Sequence, residues 1–207
     1  MNENRHTSIR PWRWAPALVL VCAISMAFAG SGAIGGSGAV AGSDNDSDVV
    51  VRSFPLAEKG SLEMSMPEPW RLSVKRARPG LPPTISFSPS KGDAFVLLVT
   101  PLWSPRSAPE FNSPSTVRSI VEASGRPFLD RAIEAKLVLS EIKGSHAHGY
   151  AFSLKDGAPG PGEYEYMTQG AAGVGDLLIT FTILTHRRDV IEIRQALDAI
   201  RSSKHVP

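Results

Sequence analysis

Residues 94–103, AFVLLVTPLW, carry apolar side chains at odd and even positions alike. A strand sends alternate side chains to opposite faces, so such a run is stable only where both faces are covered. It predicts an internal strand over 94–102, with Phe95, Leu97 and Val99 facing one layer and Val96, Leu98 and Leu102 the other. Shorter runs around it alternate strictly. Leu62, Met64 and Met66 are separated by Glu63 and Ser65, and Trp70, Leu72 and Val74 by Arg71 and Ser73, with Lys75 following. Ile85 and Phe87 lie among Thr84, Ser86 and Ser88. Period-two patterns of this kind predict strands with one wet face. Pro67 and Pro69 bracket a turn between the first two, and Pro79-Gly80 with Pro82-Pro83 ends the second.

The pattern then changes period. Ser113 suits a helix N-cap and Pro114 its first turn, while Val117, Ile120, Val121 and Ser124 mark one face. Gly125-Arg126-Pro127 must break or kink that helix, because proline has no N–H to give. Phe128, Ala132 and Ile133 are expected to resume its face toward Lys136. Strands are predicted over 137–143, 147–155, 163–171 and 176–185, with turns at 144–149 and at GAPGPG, 157–162. A last helix is predicted over about 189–203. Asp189 and Glu192 would form a capping-box-like pair, and Val190, Ile193, Leu197 and Ile200 its buried stripe. Four strands, a helix, four strands and a helix, joined by short turns, imply antiparallel meanders. The expected fold is α+β, a layered sandwich: a mainly antiparallel sheet of about eight strands covered by a central and a C-terminal helix.

Several stretches in this order resemble the PsbP-like fold superfamily, which includes secreted bacterial PsbP- and DcrB-like proteins. They are the opening strand ending in Pro67-Glu68-Pro69-Trp70, ISFSP at 85–89, FVLLVTPL at 95–102, the central helix, and the Gly- and Tyr-rich hairpin at 149–166. ALDAIR at 196–201 closes the set. The resemblance would span residues 61–203. It implies a non-enzymatic accessory or protein-binding module.

The N-terminus points to export. Arg5, Arg10 and Arg13 precede an uncharged apolar run, 15–29, that ends in Ala27-Phe28-Ala29. Residues 1–29 read as a signal peptide cut before Gly30, which implies a periplasmic or secreted protein. An uncleaved membrane anchor is the alternative. Cys22, the one cysteine, follows Val21 and lacks the small neighbour that lipidation requires. Cleavage would leave no disulfide, thiol nucleophile or thiolate metal site. Residues 30–48 have the composition of a flexible Gly/Ser/Asp linker, and 49–207 of one folded domain. Of 22 basic and 20 acidic residues, three and one lie in the first 29, leaving 19 of each. That balance offers no footprint for nucleic acid.

No catalytic motif stands. Gly30, Gly32 and Gly35 spell G-x-G-x-x-G without the strand and helix that a dinucleotide site needs, and Ala39 spoils a serine elbow at Ser37. His146 and His148, two apart, could share a metal on one strand face, with Glu163, Glu165 and His186 as loose further ligands. Asp176 joins them as a candidate for acid–base work, and Ser145-His146 supplies a nucleophile pair on paper. Trp70 and Trp103 lie in apolar registers that suit a core. Tyr164 and Tyr166 alternate with Glu163 and Glu165, which would place both tyrosines on one face as a partner surface. The expected function is an exported, non-enzymatic accessory module that binds a protein or another envelope component and uses no cofactor. The alternative is a small secreted hydrolase or metal-dependent enzyme built on the His146/His148 turn.

Overall fold

A computed structural model describes residues 49–75, 82–90, 95–104, 108 and 110–207. The expected signal peptide, linker and glycine tract, and the Pro79-Gly80 turn, lie outside the described residues. Among the described residues ten strands form two antiparallel sheets. β1 (Val49–Pro55), β2 (Ser61–Pro67) and β10 (Lys204–Val206) make a small sheet in the order β1-β2-β10. The large sheet holds β3 (Trp70–Lys75), β4 (Thr84–Pro89), β5 (Phe95–Trp103), β6 (Ser140–Lys143), β7 (Ala147–Lys155), β8 (Tyr166–Val174) and β9 (Leu177–Thr185). Its order is β3-β4-β5-β9-β8-β7-β6. Two α-helices of the described residues, α1 (Pro114–Gly125) and α2 (Ile191–Arg201), lie against the strands.

The sandwich has three layers. One face of the large sheet, with Phe87, Leu97, Val99, Phe181 and Ile183, packs against Leu62, Met64 and Met66 of the small sheet and Ala196, Ala199 and Ile200 of α2. On the other face, Phe152, Leu154, Met167 and Leu178 pack against Val117 and Val121 of α1 and against Phe128. β5 is internal, as its composition requires, between β4 and β9. Trp70 is buried against Phe95, with ring centroids 4.9 Å apart, and Trp103 packs on the same core.

Several expectations are corrected. The described residues form ten strands in two sheets rather than about eight in one, because β1 and β10 carry weak signals: three consecutive valines and a three-residue edge. β2 and β3 do not pair as a meander. Pro67 and Pro69 flank the turn between them and cannot both continue a ladder, and the chain changes sheets there.

The helical face does not resume after the break. Arg126–Phe128 is one 3₁₀ turn, and the chain then runs irregularly, leaving Ile133 64% exposed. Val190, not Asp189, occupies the N-cap of α2 and gives no side-chain bond, while Asp189 sits at φ 44° just outside. The buried stripe is Ala196, Ala199 and Ile200, with Ile193 and Leu197 at its margin. The cap of α1 is as expected: Ser113 Oγ accepts the Thr116 N–H at 3.4 Å.

The two faces of β5 are unequally covered. Leu97 is fully buried, whereas Leu98 is only partly so. Leu98 lies in a row with Ser86 and Thr182, and Thr100 lies beside Thr180. Hydroxyl groups offer a helix little apolar area, and α1 packs on β7 and β8 instead. Leu97→Ala is therefore expected to cost about 2–5 kcal/mol, the range for a buried leucine that leaves a cavity. Leu98→Ala should cost half of that or less, and urea denaturation of the pair measures the difference. On α2, Ile200→Asp should destabilise more than Ile193→Asp or Leu197→Asp, because only Ile200 is fully enclosed.

Candidate functional site

The residues singled out from the sequence divide between the two ends of the large sheet. His146, His148 and Asp176 lie where β7 begins and the β8–β9 hairpin turns. Glu163, Tyr164, Glu165 and His186 lie where β8 begins and β9 ends. The strands between are nine residues long, which separates the two groups by about 25 Å at 3.3 Å per residue. They form no common site.

At the first end the histidines hold the fold together. His148 Nε2 lies 2.9 Å from the Asn112 carbonyl, so Nε2 carries the proton and donates. Its ring lies over Gly173, where a Cβ would come within 2.7 Å of Nε2. Asn112 Nδ2 donates in turn to the carbonyls of Gly175 and Leu177, tying the start of α1 to the β8–β9 hairpin. The Asp176 N–H donates to His205 Nδ1 at 3.3 Å, and His205 Nε2 donates to the Lys59 carbonyl at 2.7 Å. That histidine thus fastens β10 to two loops at once. Ser145 and His146 are exposed in the β6–β7 turn. Gly144 in that turn touches the Arg201 carbonyl so closely that a Cβ would overlap it. Among the described residues no three His, Cys, Asp or Glu side chains gather as a metal would require.

At the second end the aromatic residues separate. Residues 163–165 precede β8, so strict alternation does not reach Tyr164. Its ring stacks on His186, with centroids 4.5 Å apart at 28°, and packs against the α1-side core. Tyr166 belongs to β8, pairs with Lys155 and Thr185, and lies under the Lys155 Nζ at 5.3 Å. The two tyrosines do not share one face. Glu163 Oε2 accepts the Gly160 N–H at 2.9 Å inside the GAPGPG turn, and Glu165 meets Lys155 at 3.6 Å.

Sequence reasoning passed over Asp156. It is 3% exposed, accepts the Ala158 N–H at 3.0 Å and meets Arg131 at 3.4 Å. This carboxylate joins the irregular stretch after α1 to the 157–162 turn, and Asp-Gly at 156–157 was its local signal. Gln169 was also missed. It sits between Phe152 and Thr182, with Oε1 buried and without a partner among the described residues. None of the described helices is long and apolar enough to cross a membrane.

Two measurements follow. Asn112→Ala removes two side-chain hydrogen bonds and is expected to cost about 1–3 kcal/mol, read from urea denaturation. Burial raises the Tyr164 phenol above its ordinary 10.0. The unfolded chain then loses its proton first, so this contribution is complete below pH 10 and declines as pH rises through the folded value. The fall in melting temperature above pH 10 should be shallower in Tyr164→Phe.

Neither a scan against protein-family models nor a search of curated proteins finds a match for this chain.

Proposed function

We propose that this chain is an exported, non-enzymatic module of the cell envelope that binds a protein or another envelope component. One observation carries the reading. The side chains able to do acid–base or metal chemistry are parted by the length of nine-residue strands, and His148, Glu163, Glu165 and His186 are each held in a contact of the fold. Apolar side chains, in contrast, face water around the first three strands: Val49 and Val51 on β1 are 59% and 61% exposed, and Leu72 and Val74 on β3 are 40% and 46% exposed. The PsbP-like resemblance of the sequence stretches at 67–70, 85–89 and 95–102 supports the same reading. The arginine-rich, apolar N-terminus supports export into a periplasmic or extracellular space.

Photo-crosslinking in the producing cells tests the reading. A crosslinker at Val51 or Leu72 of the full-length chain should give discrete adducts that the same group at Ser145 does not. The reading fails if no position yields an adduct while the protein shows a zinc-dependent hydrolysis lost in the His146→Ala, His148→Ala double variant. N-terminal sequencing of exported protein should begin at Gly30, and an intact Met1 on membrane-bound protein would end the case for cleavage.

A further inference from the structure

The two edges of the large sheet are built differently. β6 at one edge has four residues, one of them buried, and an ion pair between Glu141 and Lys143 at 2.9 Å. Short, charged edges discourage further pairing. β3 at the other edge has six residues and, among the described residues, pairs only with β4.

The hydrogen-bond phase fixes which of its amides are free to pair. The Ser90 N–H donates to the Pro69 carbonyl at 3.0 Å, which makes residues 69 and 90 a hydrogen-bonded pair. Antiparallel pairs alternate, so Arg71, Ser73 and Lys75 turn their backbone groups toward β4. Trp70, Leu72 and Val74 turn theirs outward. The outward carbonyl of Trp70 already receives Arg52 Nη2 at 3.5 Å. Leu72 and Val74 therefore present two N–H and two C=O groups along the open edge. Their side chains, opposite Phe87 and Ile85, extend the inner apolar face beyond the sheet. Arg71 and Lys75 are exposed on the other face. Arg71 reaches the Ser90 carbonyl at 3.5 Å, and neither meets an acid among the described residues.

These features define one kind of occupant. We propose that β3 receives an extended segment of a partner protein, added as an eighth strand, whose residues alternate between acidic and apolar. Its apolar side chains would continue the row of Leu72 and Val74, and its acids would stand opposite Arg71 and Lys75. A second copy of the chain fits less well. Pairing Leu72 with Val74 across a two-fold axis at Ser73 matches the amides but sets Arg71 directly opposite Lys75 twice. The chain's own Asp44, Asp46 and Asp48 have the acidic spacing, but Asn45 and Ser47 fall where apolar side chains are needed. The inference rests on the binding-module reading and gives it a site.

The full-length chain is titrated with a capped Glu-Val-Glu-Val-Glu peptide and with its lysine counterpart, and amide hydrogen exchange is followed by NMR. Saturable protection of the Leu72 and Val74 amides is expected, with the acidic peptide binding at least about tenfold more tightly, a margin of about 1.4 kcal/mol. Val74→Pro deletes an N–H that no described strand uses and should abolish that protection. If this variant does not fold, Arg71→Glu with Lys75→Glu, both on the surface, should reverse the preference between the peptides. Equal binding of both peptides, or protection elsewhere only, overturns the proposal. Protection that grows with protein concentration alone, alongside a dimer in sedimentation, assigns the edge to a second copy. Protection in the free chain that disappears when Asp44, Asp46 and Asp48 become Asn assigns it to the chain's own 30–48 segment. In each case β3 fails as a partner site. Adducts that persist at Val51 would leave the module reading standing, whereas their absence at every position would remove that reading too.

Discussion

The pairing of β5 with β9 holds the structure together. Nine consecutive residues of β5 oppose nine of β9, from Phe95 with Thr185 to Trp103 with Leu177. Without that ladder, β3-β4-β5 and β6-β7-β8-β9 are two small sheets with open edges. With it they form one seven-stranded sheet, and each cluster of apolar side chains spans the seam. Phe87, Leu97 and Phe181 meet on one face, and Leu102 and Leu178 on the other. Both strands lie at the centre of three layers, and their face toward the small sheet is the more apolar, since Thr100, Thr180 and Thr182 lie on the other.

The large features of this fold were legible, since they arise from patterns that repeat. The two-faced composition of β5 placed it inside the sheet. Ser113 and Pro114 started α1 where a cap and a fixed φ should; the turn expected over 144–149 is confined to 144–146, and the one at 157–162 lies between β7 and β8. The change of sheet after Pro67 was not legible. A proline pair gives the position of a turn but not whether the chain returns beside itself or crosses to another layer. That choice depends on what the returning strand can cover, which is a property of the whole core. The same holds for residues 129–139, where Phe128 and Ala132 kept a helical spacing while Asp156, distant in sequence, captured Arg131.

The candidate site shows the opposite balance. Histidines and acids close in sequence looked like a constellation, yet β8 and β9 carry them to opposite ends of the sheet. What decides a site is convergence in space, and only the strand register reveals it. His148 and His205 turned out to be fasteners, each giving its Nε2 proton to a backbone carbonyl. The edge at β3 was half visible: the alternation of Leu72 and Val74 with Arg71 and Lys75 was plain, but it read as a strand with a covered face. Only the sheet order shows that no described strand lies beyond it.

The small sheet bears on how the chain reaches this state. β10 pairs with β2 across nearly the whole described sequence, joining Leu62 to His205 and Ser61 to Val206. Contacts between residues so far apart close long loops, and chains dominated by them fold on the slower side, in milliseconds to seconds. Met64 and Met66, on the strand that this closure pairs, cover Phe87 and Leu97 in the same core. For a chain exported as proposed, slow closure would lengthen its stay in the unfolded state that a translocation channel accepts.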